Sequence, residues 1–532
     1  MQSVQQRRRT ETVNGTHNGD ASVTASPPRR GAAPVLQILE GIHETANAPL
    51  YVRLYQHVRD AIVSGALSPG QRLPASRTLA EDLRVSRNTV ESALEQLRAE
   101  GFVQRRVGAG SIVSPDLPVN PRSPQRFRTH ARVSPAAETS YDRGALSGRG
   151  RQTLDSNHLV SSTAGFTFAG CVPDAQLLPG NGWKQILARR SRGWSRSEMQ
   201  PPERAGYRPL REAIATYIVA SRGVRCDWRQ VLVVGSVQQG IALASRMLLD
   251  PCDEVWLEEP GYPGARTAFA FSGATLVPVP VDTDGIDVSA GEAIAPNARM
   301  AYVTPSHQYP LGVTLSLARR MALLDWAARN DAWILEDDYD SEFRYVGRPL
   351  SSIQGLDTHA RVIYAGTFNK VLYPSLRLAY LVLPPGLTEL IAKGQDVTGG
   401  TPPTFLQAAV AEFIDNGQFA SHLRRTRDVY RERRDVLLDA AAEQLLDHVT
   451  LGPAEAGMHV AAHLRTIRDD HALSAAAVHE RLDVPPLSRY YAGGPGRSGF
   501  LLHYAGTPTD RIRSGTTQLA RILETRAGAQ ES

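Results

Sequence analysis

The chain has 532 residues, 42% hydrophobic and 21% charged, which is ordinary globular usage and room for about three domains. With 44 Gly and 35 Pro it is neither collagen-like nor wholly disordered, and no run approaches the ~18 apolar residues of a membrane span. Its three cysteines (Cys171, Cys226, Cys252) are too few and scattered for a disulfide framework or a closed zinc site, so a metal-free cytoplasmic protein is expected.

The net charge of +5 is uneven. Residues 1–150 hold 20 Arg, no Lys and 13 Asp or Glu, a local excess of +7, which leaves −2 for the rest. A basic N-terminal quarter suits a nucleic-acid partner or a solubilising tail, and charge alone does not choose between them. Lysine is limited to Lys184, Lys370 and Lys393, so a nucleophilic amine has three candidates.

Residues 1–45 are polar and aperiodic and read as a disordered arm. No apolar stretch follows Arg7–Arg9, so no signal peptide is expected. Residues 46–113 form the first compact segment. Leu54, Val58, Ala61 and Ile62 predict a helix ended by Pro69-Gly70, Ser76 is expected to cap a short second helix, and Val90, Ala93, Leu94 and Leu97 mark a third. Two short β runs around Gly108 and Gly110 predict a hairpin.

Three helices and a hairpin, with the second and third helices closely joined, make a winged helix-turn-helix whose third helix enters the major groove. There Arg87 can donate to guanine, Asn88 can read adenine, and Ser86 and Thr89 flank them. Arg105 and Arg106 in the wing suit phosphate or the minor groove, and Arg77 suits phosphate. The stretches Pro69-Gly70-Gln71-Arg72-Leu73-Pro74-Ala75-Ser76-Arg77, Val85-Ser86-Arg87-Asn88-Thr89-Val90 and Glu100-Gly101-Phe102 closely resemble a GntR-type DNA-binding domain.

Residues 114–161, rich in Pro, Arg and Ser, read as a linker of 48 residues, and residues 162–527 alternate strand-like and helix-like runs as an α/β domain does. Four apolar runs suit buried strands: Val231–Val234, Glu254–Leu257, Ala332–Leu335 and Val362–Ala365. They lead respectively into Gly235-Ser236-Val237-Gln238, Glu258–Pro263 with Tyr262, Glu336–Asp340, and Gly366–Lys370. Open α/β sheets bind ligands at such strand ends. A lysine that can take an aldehyde, a carboxylate for a pyridine nitrogen, a ring to stack, and a Gly-Ser turn at a helix N-terminus for phosphate together suit pyridoxal phosphate (PLP).

Glu336-Asp337-Asp338-Tyr339-Asp340, Gly366-Thr367-Phe368-Asn369-Lys370, Pro374-Ser375-Leu376-Arg377 and Pro305-Ser306-His307-Gln308-Tyr309-Pro310-Leu311-Gly312 resemble a fold type I aminotransferase, here with a smaller C-terminal α+β part. Behind a GntR-type domain, this is similar to the MocR/GabR class of regulators. The resemblance implies that Lys370 forms a Schiff base with PLP, Asp337 pairs with the ring nitrogen, Tyr339 bonds the phenolic oxygen and Tyr262 stacks. It also implies that Ser236, Val237, Gln238, Thr367 and Arg377 hold the phosphate, that Tyr207 reaches a phosphate across a dimer interface, and that the dimer is head-to-tail.

Three positions depart from the aminotransferase pattern. Tyr309 precedes Pro-x-Gly where an Asn is usual. Gly264 and Leu501 stand where arginines would grip a substrate carboxylate. The expectation is a PLP-dependent DNA-binding regulator with PLP itself as the signal and vitamin B6 metabolism as its target. The alternatives are an amine or amino-acid effector, with Arg266 or Arg497 gripping a carboxylate, and a working aminotransferase.

Overall fold

The computed structural model describes residues 49–106, 110–115, 146–155, 165–170, 172–193, 200, 202–347, 350–493 and 496–531. The expected arm, most of the expected linker and Gly108 lie outside them. The chain divides into two units, residues 1–140 and 141–532.

In the first unit, helices α1 (Leu50–Val63), α2 (Ser76–Asp82) and α3 (Arg87–Ala99) precede an antiparallel hairpin of β1 (Val103–Arg106) and β2 (Gly110–Val113). The apolar stripe of α3 (Val90, Ala93, Leu94, Leu97) is buried with Leu54, Val58, Ala61 and Ile62 of α1, as the 3.6-residue period requires. Each large side chain there contributes roughly 1.5–3 kcal/mol.

Two expected boundaries move. Helix α1 stops at Ser64-Gly65, where Gly65 has φ +78°, ahead of Pro69-Gly70. Ser76 is the first residue inside α2 rather than its cap; Ala75 holds that position, and the Ser76 hydroxyl donates to Glu91 at 2.5 Å instead.

The second unit is built on an eight-stranded sheet in the order β3 (Val231–Val234), β10 (Ala379–Val382), β9 (Val362–Thr367), β8 (Trp333–Asp338), β7 (Met300–Val303), β4 (Glu254–Glu259), β5 (Thr275–Asp282), β6 (Gly285–Ile286). From β9 to β5 the pairs are parallel, and β10 runs antiparallel to both its neighbours. Strands β3, β7 and β9 are buried along their whole length, which fits a parallel sheet covered by helices on both faces. The pleat sends Leu232, Val234, Leu257 and Tyr302 to one apolar cluster and Val231, Val233, Trp256 and Ala301 to clusters on the other face.

A second sheet, β11 (Val449–Leu451), β12 (His459–Leu464) and β13 (Gly499–His503), is antiparallel. Its Val460 and Leu502 share one apolar cluster with Val231 and Val233 of the large sheet, so the smaller C-terminal part is packed continuously onto the larger. A helix at Gly148–Asp155 lies inside the stretch expected to be linker.

Candidate functional site

The carboxyl ends of the parallel strands open on one edge of the large sheet. Strand β10 begins where β9 ends, with Ala379 opposite Thr367 and Val234, so Arg377 just before it arrives at the same edge. A cavity of about 450 Å³ lies there, within the usual range of ligand sites. Its walls include Lys370, Asp337, Tyr339, Tyr262, Ser236, Val237, Gln238, Thr367 and Arg377. The structure therefore brings nine of the expected residues together. Tyr207 does not line the cavity; it stands before helix α6 (Arg208–Arg222), with its N–H donating to Gln407 at 2.8 Å.

The pleat sorts the acidic run. The apolar run Ala332–Leu335 is expected to end at the acidic residues, but β8 continues through Asp338, and Glu336, Asp337 and Asp338 are all buried. Glu336 accepts from the Ile353 and Gln354 N–H groups. Asp338 pairs with Arg222 at 2.7 Å and accepts from Tyr364 and Ser341; burial alone would raise it, and these partners hold it below the ordinary carboxylate range. Only Asp337 faces the cavity. Its Oδ2 accepts from the Tyr302 hydroxyl at 2.6 Å, while Oδ1 is buried without a partner. Burial pushes this carboxyl up to about 7, with Tyr302 opposing and Asp338 and Asp340 adding to the rise.

The Gly-Ser turn opens helix α7 (Val237–Leu248). Ser236 is its cap and accepts from the Gln239 N–H at 3.1 Å. The N–H groups of Val237 and Gln238 belong to its first turn and stand at the positive end of the helix. Arg377 has φ +54°, an uncommon conformation for a side-chain-bearing residue and one found at ligand sites.

Tyr309 packs edge-on to Tyr262 (5.8 Å between ring centres), Tyr339 (5.8 Å) and Tyr490 (5.4 Å), so an aromatic wall stands where an Asn amide was the usual residue. Leu501 is buried behind that wall with Ala461, Leu487 and Tyr490. A Cβ on Gly264 would fall 2.4 Å from the Tyr262 ring, so glycine makes room for the ring as well as lacking a charge. Arg266 is turned to the Tyr490 carbonyl (2.7 Å) and Glu259 (3.7 Å), and Arg497 is exposed; neither lines the cavity. Tyr302, Thr304, Asn369, Val172 and Pro374 complete the walls together with Tyr309. Sequence reasoning passed over Tyr302 because its pairing with Asp337 depends on the parallel β7–β8 register, which leaves no local signal.

In the first unit, Arg77, Arg87, Asn88 and Ser86 are exposed at the start of α2 and α3, with Thr89 beside them. The Ser86 hydroxyl is occupied as the α3 cap, accepting from the Thr89 N–H at 3.1 Å. Among the described residues, Arg77 and Arg87 pair only with exposed Glu81 (3.3 Å) and half-buried Glu91 (3.9 Å), contacts of little energy that a phosphate or base can replace. Arg105 is exposed on β1, opposite Ser111; Arg106 ends that strand opposite Gly110.

Residues 50–113 match the gntR family of bacterial regulatory proteins, and residues 179–511 match aminotransferase class I and II. The chain is 38% identical over 475 residues to the probable rhizopine catabolism regulatory protein MocR of Rhizobium meliloti, covering 89% of this chain and 94% of that one. The chain belongs to the MocR/GabR class of transcriptional regulators. Another member, the pyridoxine biosynthesis regulator PdxR of Corynebacterium glutamicum, is 29% identical over 88% of this chain and 95% of that one. Among solved structures, the Pyrococcus horikoshii kynurenine aminotransferase aligns with TM-score 0.65 and 26% identity, over 74% of this chain and 98% of that one. The α-aminoadipate aminotransferase LysN of Thermus thermophilus aligns with TM-score 0.64 and 29% identity, over 74% and 99%.

As a MocR/GabR-class protein, the chain joins a GntR winged helix to a fold type I aminotransferase domain that binds pyridoxal phosphate. The cavity fits that cofactor. A buried carboxylate oxygen with no partner is costly unless a cationic donor meets it, and a protonated pyridine nitrogen is such a donor. Among the described residues, no helix is long and apolar enough to cross a membrane.

Proposed function

We propose that this regulator senses pyridoxal phosphate itself and controls vitamin B6 metabolism. The observation that carries this is the cavity's one-sided chemistry. Each group that PLP needs is in its walls, while Leu501 and Gly264 occupy the carboxylate-gripping positions and neither Arg266 nor Arg497 lines the cavity. Burying a carboxylate without a charged partner costs several kcal/mol, which disfavours an amino-acid effector. The relative named as a pyridoxine biosynthesis regulator supports the same reading.

PLP, when bound, supplies an aldehyde for a lysine amine and a ring that accepts negative charge. Lys370 is the amine in this reading, and Asp337 holds its charge toward the ring nitrogen. Tyr262 stacks, Tyr339 donates to the ring oxygen, and Ser236, Thr367, Arg377 and the Val237 and Gln238 N–H groups bind the phosphate. Tyr207 stands outside its own chain's cavity, as a residue serving the site of a second copy in a head-to-tail dimer would.

A titration of the purified chain with PLP, followed by visible absorbance, then with common amino acids and amines, tests the proposal. Saturable uptake, with no amino acid altering the spectrum at micromolar levels, is expected. Spectral change with an amine that lacks a carboxylate supports the second reading, an amine effector, for which the aromatic wall of Tyr309 speaks.

A further inference from the structure

Behind Tyr339 lies a buried polar group that the proposed cofactor contacts leave unused. His307, from the turn after β7, is 3% exposed, and its Nδ1 lies 2.9 Å from the Tyr339 hydroxyl and 3.0 Å from Asp340 Oδ2. A carboxylate only accepts, so the proton between His307 and Asp340 sits on Nδ1. That one N–H faces two oxygens, and the second belongs to Tyr339. A phenolic oxygen that accepts from His307 does not spend its own hydroxyl proton on that contact, and Tyr339 lines the cavity.

The ring is held in this pose from its other edge. A Cβ on Gly457 would fall 2.0 Å from His307 Cε1, and one on Gly312 would fall 3.1 Å from Nε2. Both glycines have positive φ, +88° and +79°, so side chains are disfavoured there twice over. His459 of β12 packs 5.0 Å away, with Nε2 donating to the Pro310 carbonyl at 3.0 Å, and His503 of β13 lies 5.5 Å beyond it. The donor atoms of His307, Asp340 and His459 fall within 4.8 Å of one another. A metal ion is nonetheless disfavoured, because Nδ1 is already committed to two oxygens and the glycines close on Nε2.

We propose that His307 is a positioning residue: anchored by Asp340, it donates to the Tyr339 oxygen and thereby turns the Tyr339 hydroxyl proton into the cavity, toward the phenolic oxygen of bound pyridoxal phosphate. This rests on the reading that PLP occupies the cavity with Tyr339 at that oxygen. The ionisable groups facing the pair are Asp340, His459 and His503, with Asp337 and Lys370 across the cavity. Burial holds His459 well below the usual histidine range and brings His503 down to about 3, so both stay neutral.

The test uses the full chain, with PLP uptake and the pH midpoint of its visible band measured for His307→Leu, His307→Asn and Tyr339→Phe. A donor to the ring oxygen favours its anionic form, so loss of the donor moves the midpoint upward. For His307→Leu a rise of about one unit and roughly tenfold weaker PLP binding are expected. His307→Asn keeps an amide N–H where Nδ1 stood and restores most of the midpoint. Adding His307→Leu to Tyr339→Phe shifts it little further, because both act through one hydroxyl. An unmoved midpoint in His307→Leu overturns the inference while leaving the cofactor reading intact. So does His307→Asn as impaired as His307→Leu, or full additivity with Tyr339→Phe. If His307→Leu does not fold, His307→Asn alone and combined with Tyr339→Phe still decide, since a wild-type-like midpoint lost only with the phenol supports the inference and any other pattern overturns it. A wild-type chain that takes up no PLP overturns the cofactor reading and this inference with it.

Discussion

Lys370 carries the most direct consequence at the scale of single residues. Lys184 lies on the helix Gly180–Arg192 and Lys393 on the helix Leu387–Thr398, and neither lines the cavity. Lys370→Ala should therefore abolish the PLP-dependent visible band, with no rescue by the other lysines; a retained band would remove Lys370 from its role. Asp337 has a consequence for stability. Its folded-state value of about 7 lies above the ordinary 3.8, so the cost of ionising it is absent below about pH 4 and complete above about pH 7. Asn at 337 keeps the bond from Tyr302 and carries no charge. Urea unfolding of the PLP-free proteins should show Asp337→Asn more stable than wild type by about 2–4 kcal/mol at about pH 8, with no difference near pH 4. The same variant should bind PLP more weakly. An equal stability difference at both pH values would mean that the carboxyl is not strained by burial.

At the scale of elements, we propose that helix α3 and the β1–β2 hairpin divide the work on DNA. Arg87→Ala or Asn88→Ala should cost about 1–3 kcal/mol on the preferred operator and relax its sequence preference. Arg105→Ala should weaken all sequences alike and lower the salt dependence. Unchanged operator affinity for Arg87→Ala would show that α3 does not read bases. At the head of the helix Pro263–Ser272, Gly264→Ala should displace the Tyr262 ring and weaken PLP uptake, because the added Cβ overlaps the ring; unaltered uptake would mean the ring moves aside freely. Helix α3 is legible because its four apolar residues repeat at helical spacing, and strands β3, β4, β8 and β9 because their apolar runs end in Gly, Ser or acidic residues; the other strands of the two sheets are not among the four expected. The ends of α1 and α2 were less so: several turn residues follow α1, and only the fold shows that Gly65 takes the left-handed conformation. The depth of the acidic run was hidden too, since burying Glu336 and Asp338 depends on partners as remote as Ile353 and Arg222. His307 gave no local signal, because Asp340, Gly457 and His459 reach it from distant parts of the chain.

At the scale of the whole molecule, a GntR winged helix and a PLP-binding domain share one chain, and the proposed function requires that occupancy of one alter the other. A ligand shifts DNA binding only through a difference in its affinity for the two states. The measurement that bears most directly on this is operator affinity, on the intergenic DNA flanking the gene, across a PLP titration at fixed salt, beside Lys370→Ala and a panel of amino acids and amines. The account predicts that PLP changes wild-type operator affinity at least about fivefold, the lower end of ordinary allosteric coupling, that Lys370→Ala loses most of the response, and that amino acids leave it unaltered. Operator affinity indifferent to PLP but shifted by one amino acid at micromolar levels would contradict it.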